Sequence, residues 1–551
     1  DNTVNTLDGD ITAADGATGV VVTGDDTRTT INGDVYASGG ATGLTVSGNA
    51  ASVTNQGSIT AVDSGSTGVA IDGNTASFTN TGTIDSSLNG TGVSITGNSA
   101  SVTLDGTVNV HAEKDADGVY QGATGVSVAG NDGTTEITGN VNVSGGMQAD
   151  DINPKASSTL TGAQITGNNN TLTIDGSVNL SQDNQLANVD SYSYGLSVEG
   201  SGNNVFINSG VNIDSTRVST GYDDNLPYAA YGIAVSGDNT VQVSGNSSVK
   251  VSDASAANAG LAVVTNGGKL ILDSGSVLDV SYVTNNTGAI MSGAIIQASG
   301  SGSTAENKGV ITTGLSTLMR ASDNGTVINE GTITASDFND TASTVTRAAI
   351  LRADDAGSRA INETGGVITI SSPDKPIANT SNPDYPIVWH YNTAYALLAS
   401  NYGIVENDAG ATINLNGAGL YGVAAAKGTA TNAGTINVDG FIPTLDEDGN
   451  ITAKTFYSAS YLPDMSAGVI VGSTDAGNGD ATGLNTGTIN VNNEGFGMLA
   501  LNGGTVTNQG TINLTADEGV EKSADNQLIG MGVINGGTAI NDESGVININ
   551  A

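Results

Sequence analysis

Thr67-Gly68-Val69-Ala70-Ile71-Asp72-Gly73-Asn74, running on into Ser77-Phe78-Thr79-Asn80-Thr81-Gly82-Thr83-Ile84, decides how this chain folds, because the stretches on either side nearly copy it. The copy before it runs from Thr42 to Asn49 and from Ser52 to Ile59; the copy after it runs from Thr91 to Asn98 and from Ser101 to Val108. Their leading glycines, Gly43, Gly68 and Gly92, stand 25 and 24 residues apart. Each copy holds three short segments in which β-branched or apolar residues alternate with polar ones, the mark of a strand with one buried face. Gly and Asn, which tolerate left-handed backbone angles, separate the segments as turns. A fixed period of this size indicates stacked repeats. Three strands and three turns make one coil. A single coil cannot bury its apolar side, but coils stacked about 4.8 Å apart can. The expected fold is all-β: a right-handed parallel three-stranded β-helix (β-solenoid), with long insertions on one face. The hand follows from the strong bias of parallel crossovers.

Working outward, residues 1–110 read as regular coils. From Gly92 the leading glycines fall at Gly125, Gly162, Gly195 and Gly232, and the spacing widens to 33, 37, 33 and 37. The added residues enter after the third strand of the coil, as acidic, tyrosine-bearing insertions at Glu113 to Tyr120, Met147 to Lys155, Gln182 to Tyr194 and Arg217 to Tyr231. Insertions at one phase project from one flank, where solenoids place binding. The pattern blurs over 261–330, with Ala289 to Ala298 read as strand, and returns through 331–551. There a recurring Asn-Gly-Ile-Val form begins at Asn307, Asn329, Asn362, Asn407, Asn432, Asn485, Asn508 and Asn541. These asparagines either stack as an internal amide ladder or each satisfy a turn. Further insertions, Ser371 to Tyr402, Asp439 to Ser466 and Ala516 to Gln527, follow third strands here; the first two are aromatic and the last acidic. The reading is a single β-helix over 1–551, of about eighteen coils at the usual strand spacing.

Composition narrows the function. Fifty-five acidic against 15 basic residues give a net charge of −40 and a pI near 4.1. Such a polyanion repels nucleic acid and anionic lipid. No apolar run is long enough for a spanning helix. Cysteine is absent, so the fold does without disulfides, and nothing would obstruct threading of an unfolded chain through a pore. Asp1-Asn2-Thr3 carries no secretory signal, and the chain stops just after a strand with its edge uncapped, which favours a natural protein that continues.

The recurring Thr-Gly-Val-x-Val-x-Gly-Asn and Thr-Asn-x-Gly-Thr-Ile-Asn-Val, as in Thr67 to Asn74 and Thr507 to Leu514, resemble the passenger region of AIDA-type autotransporter adhesins of Gram-negative bacteria. The resemblance spans nearly the whole chain. It implies export by a C-terminal outer-membrane barrel, absent from this sequence, and display at the cell surface. It also implies partners among host extracellular-matrix proteins or glycans, or the protein itself through self-association and biofilm growth.

No catalytic or metal-ligating constellation emerges, and no cofactor is called for. Asp63-Ser64-Gly65-Ser66 and Asp273-Ser274-Gly275-Ser276 resemble part of the nucleophile motif of autotransporter serine proteases, but turns favour the same residues, and only His111 and His390 could serve as base. A polysaccharide-cleaving β-helix would need clustered carboxylates that one sequence does not fix. Asp223-Asp224 and Asp446-Glu447-Asp448 could hold calcium, without the nonapeptide array of calcium-loaded β-rolls. Four of the six arginines, Arg320, Arg347, Arg352 and Arg359, fall within forty residues. Met319-Arg320-Ala321 aligns with Leu351-Arg352-Ala353, so alternation points both arginines outward in one column on neighbouring coils. They could grip sulfate or carboxylate groups of a glycan, or pair with Asp323, Asp354 or Asp355. Tyr385, Trp389 and Tyr391 either anchor a long loop or offer a stacking surface for sugar or protein. Arg320, Arg352, Arg347, Tyr385, Trp389 and Tyr391 are the candidate ligand-binding residues.

Overall fold

The computed structural model describes residues 3–147, 159–184, 191–217, 228–252, 259–283, 294–314, 317–336, 347–372, 375–378, 387–390, 393–417, 419–440, 465–472, 480–517 and 528–550. The chain forms two compact units, Asp1–Thr284 and Asn285–Ala551, and in each the described residues build a right-handed parallel three-stranded β-helix.

In the first unit the quoted stretch supplies strands Thr67–Ile71, Ser77–Asn80 and Ile84–Ser87. Each lies parallel to its counterparts in adjacent coils without a slip: Val69 pairs with Leu44 and Val93, Phe78 with Val53 and Val102, Ile84 with Ile59 and Val108. Three faces result, made of nine first strands, ten second strands and ten third strands. The inward residues Leu44, Val69, Val93, Ile59 and Ile84 are fully buried.

The leading glycine, which the sequence explains least, owes its place to this stacking. Two consecutive residues, Gly92 and Val93, face inward, and the pairing passes from Thr91 to Val93 without Gly92. A Cβ on Gly92 would lie 2.4 Å from Ile84 Cγ2 on the third strand and 2.6 Å from the Gly125 carbonyl oxygen of the next coil. The residue is glycine because another strand approaches too closely for any side chain.

The insertions are shorter than the sequence suggests. Third strands run on as Val141–Met147, Val178–Asn184 and Val211–Arg217, paired from Met147 to Asn184 to Arg217 at their ends. First strands start early, as Ser191–Val198 and Tyr228–Ser236, with Tyr194 on Tyr231. Polar residues extend as strand here because the neighbouring coil supplies their backbone with partners. The first insertion contains a small hairpin, Glu113–Lys114 against Tyr120–Gln121. The Asp115 carboxylate turns it, accepting from the amides of Asp117 and Val119 and from Gln121 Nε2.

The described residues of the second unit form eight strands on each face. Of the blurred stretch, Ile296–Ser299 is strand, while 289–293 lies outside the described residues. The asparagines form the ladder. Asn307 donates from Nδ2 to Asn329 Oδ1 at 2.8 Å, and the chain of bonds continues through Asn362, Asn407, Asn432, Asn485, Asn508 and Asn541 at 2.7–2.8 Å. Asn329 and Asn432 also donate to the glycine carbonyls of their own turns, so the two readings hold together. In the first unit the same column has one such bond, Asn55 to Asn80, and then passes to Leu104, Ile137, Ile174 and Ile207. Most interruptions in this unit follow third strands. Residues 473–479 are an exception, falling between the first strand Ala467–Val471 and the second strand Ala481–Asn485.

Candidate functional site

The arginine column exists as the register requires. Met319 and Ala321, Leu351 and Ala353 face the core, fully buried, and Arg320 lies directly beside Arg352 on the outer side of the first face. Two like charges opposed across a strand pair would destabilise it. Asp354 resolves this. It follows the strand of Arg352, its amide donates to the Ala321 carbonyl at 3.0 Å, and its carboxylate turns back between the two guanidinium groups. Arg320 Nε donates to Oδ2 at 2.5 Å, and Arg352 Nε donates to Oδ1. The Asp354 side chain is 5% exposed, the arginine side chains 32% and 27%. Of the three acids the sequence offered as partners, Asp354 takes this role; Asp355 accepts from the Asp323 amide, and Asp323 accepts from Ser299 Oγ. The result is a fixed cluster of net charge +1, with part of each arginine at the surface.

Arg347 opens the same strand as Arg352 and its backbone is in register with Thr393; its side chain lies outside the described residues. Trp389 belongs to a short strand, Ile387–His390, antiparallel to Lys375–Ala378 and opposite Pro376; its side chain too lies outside the described residues, as do Tyr385 and Tyr391 altogether. Arg359 pairs with Glu406 on the second face. Asp223-Asp224 and Asp446-Glu447-Asp448 also fall outside the described residues. Among those described, no group of three or more His, Cys, Asp or Glu is placed to hold a metal ion. The two Asp-Ser-Gly-Ser stretches are turns: Ser66 donates its amide to the Asp63 carbonyl and Ser276 to the Asp273 carbonyl. His111 contacts Ser144 through Nδ1 at 2.7 Å.

Sequence reasoning missed a second apolar cluster. Beyond Arg352 the outward column continues as Leu398, Ala424, Ile470 and Leu499. Beside it runs another, Tyr395, Tyr421, Ala467, Phe496 and Ile529. Tyr395 and Tyr421 stack with ring centroids 5.2 Å apart. These residues point away from the solenoid core, yet Tyr421, Ala467, Ile470 and Leu499 are buried. The signal was in the motif: the position that holds Thr in Thr67-Gly68-Val69 holds Tyr421 before Gly422, Phe496 before Gly497 and Ile529 before Gly530.

A family described as the BigA third pectate lyase-like domain matches residues 260–545. A protein of Salmonella typhimurium, provisionally named surface-exposed virulence protein BigA, is 44% identical over 358 residues, which cover 65% of this chain. The matched part is 18% of that relative's length.

Proposed function

The chain belongs to the family of the BigA third pectate lyase-like domain, and from that we propose that it is a segment of a cell-surface virulence protein that adheres to host matrix protein or glycan. The name of the Salmonella relative carries both surface exposure and virulence. The family's pectate lyase-like label describes a fold, so adhesion is the preferred reading over turnover. Export as an autotransporter passenger, anchored by an outer-membrane barrel, completes the proposal on the strength of the repeat.

The observation that carries the reading is the rigid pairing of Arg320 with Arg352 around Asp354 on the outer side of the first face. A guanidinium offers five N–H donors in a fixed fork suited to sulfate and carboxylate, and one that is already held loses less freedom on binding. A sulfated glycan with charges repeated along its length is the ligand class that fits. The purified chain applied to matrix proteins and a glycosaminoglycan array tests this. Binding to at least one sulfated chain, weakened by the Arg320→Ala/Arg352→Ala double variant, is expected; silence across the array removes the proposal.

A second reading, homotypic association between cells, draws on the outer side of the third face. There Asn414, Asn437, Asn490, Asn513 and Asn548 form a regular amide column joined by bonds of 2.8–2.9 Å. Clumping of displaying cells without host ligand would favour it.

A further inference from the structure

The turn from first to second strand recurs in the second unit with two consecutive residues in left-handed backbone. Asp323-Asn324 has φ of 52° and 68°, Asn502-Gly503 45° and 85°, and Asn535-Gly536 49° and 79°. Their second residue is Asn or Gly, the types that tolerate this region. Asn401-Tyr402 makes the same turn, with φ of 48° and 74°. A bulky residue there is a genuine outlier. Strain of this kind persists where the surroundings enforce it, and it concentrates at binding sites.

The surroundings of Tyr402 are built. The residue is 50% exposed. Its hydroxyl donates to Asp480 Oδ2 at 2.9 Å, and its amide donates to the Lys427 carbonyl at 3.1 Å. The Lys427 ammonium stands 5.7 Å from the ring centroid. Asp480 is held in turn, its carbonyl accepting from the Gly428 amide at 3.1 Å. Three successive coils thus bring together an exposed aromatic ring, a cation and an anion, with no net charge. This corner lies between the first and second strands, away from the turn that carries most insertions; it is the corner of Asp354 one coil on, where the Ser400 amide donates to the Ala353 carbonyl at 2.8 Å.

We propose that Tyr402, Lys427 and Asp480 form a binding site for a neutral sugar residue of an oligosaccharide. The exposed ring takes the apolar C–H side of a pyranose, and Lys427 and Asp480 take its hydroxyls, one donating and one accepting. Matched charges at the site leave no surplus cation for an anionic sugar, which selects for a neutral one. The site shares no residue with the Arg320 and Arg352 pair, which stands on the preceding coils, and differs from it in ligand class.

Calorimetric titration of the 551-residue chain with neutral hexasaccharides of glucose, mannose, galactose and N-acetylglucosamine tests it. At least one should bind saturably. Tyr402→Gly should weaken that binding about tenfold or more, while Tyr402→Phe, which keeps the ring, should retain most of it. Because glycine relieves the turn, Tyr402→Gly should melt no lower than the wild type. The proposal is overturned if none of the four sugars binds, if Tyr402→Gly binds as the wild type does, or if Tyr402→Gly melts lower, which would make the tyrosine a structural anchor. Arg320→Ala/Arg352→Ala should leave this binding unchanged, so failure here and failure of the sulfated-glycan reading are told apart.

Discussion

Asp354 is the residue on which the arginine pair depends. The parallel register sets Arg320 beside Arg352 whatever the side chains prefer, and the shared carboxylate, 5% exposed, converts repulsion into a bridge. Asp354→Asn would leave two guanidinium groups facing each other with a neutral amide between them. Removing one member of a buried ionic group typically costs 3–5 kcal/mol, and the partial exposure of both arginines lowers the expectation to about 2 kcal/mol. Chemical denaturation of the variant checks this, and a loss below about 0.5 kcal/mol would mean the clamp is a surface pair of ordinary worth. Asp439 makes an opposite case. Burial, then the Asp517 carboxylate, pushes its carboxyl above the usual range, and the hydrogen bond from Asn493 opposes this only in part. With the folded-state value above the unfolded one, the folded protein binds the proton more tightly. Stability is therefore gained as pH falls through the folded value and forgone at neutral pH. Asp439→Asn should raise the melting temperature at pH 7, and the advantage should shrink toward pH 4, near the ordinary aspartate range. An advantage that stays constant with pH would place its origin elsewhere than in ionisation.

At the scale of the element, the amide ladder explains why one unit tolerates what the other does not. Each internal asparagine is both donor and acceptor, so a single lost rung orphans two buried groups. Asn407→Leu would leave Asn362 Nδ2 without its acceptor on Asn407 and Asn432 Oδ1 without its donor there, a cost of roughly 2–4 kcal/mol. In the first unit the column is already aliphatic from Leu104 through Ile207. The double change Asn55→Ile/Asn80→Ile extends it and removes the buried, unpaired Oδ1 of Asn55; it also gives up the amide donations to the Gly57 and Gly82 carbonyls, which lie half-buried at the turn where water can replace them. That variant should lie within about 1 kcal/mol of the wild type, since replacing both partners by apolar groups is nearly neutral. Equal losses in the two variants would show that the asparagines act through their turns and not through each other. The ladder was legible in the sequence as one of two readings, because a periodic asparagine in a solenoid stacks on its own copy whether or not it also serves its turn. The glycine before Val93 was not, because its cause is Ile84 of the third strand, brought close by packing. Strand ends around 141–147 and 191–198 were also hidden, since polar residues there are held by pairing that no local pattern announces. At the candidate site the column of Arg320 and Arg352 followed from alternation alone, whereas the choice of Asp354 over Asp323 and Asp355 depended on which carboxylate the turn directs back along the strands. The outer apolar columns from Tyr395 to Ile529 were written in the Thr position of the motif, but one residue per coil, 26 to 46 residues apart, makes no local run.

For the whole molecule, charge is the property that bears on partners. Fifty-five acidic residues against 15 basic ones set a net charge of −40 at neutral pH, and chains so charged repel one another until salt or protonation intervenes. A sulfated glycan must therefore approach a repulsive body to reach a local cluster of charge +1. Salt screens that repulsion along with the local attraction, so binding carried by the two arginines should weaken by no more than about sixtyfold as salt rises from about 0.05 to about 0.5 M. The same charge separates the two adhesive readings. Near the pI of 4.1 the repulsion is gone, and the chain should associate reversibly whatever its function. At pH 7 repulsion is at full strength, so association there requires specific contacts between copies, such as matched amide columns. Light scattering at pH 7 in 0.15 M salt, where charges more than about 8 Å apart are screened, is the decisive condition. We expect the chain to remain dispersed there and to associate only as pH approaches 4. Concentration-dependent association at pH 7 that survives dilution of salt would instead favour the homotypic reading, because lowering salt strengthens the repulsion that any self-contact has to overcome.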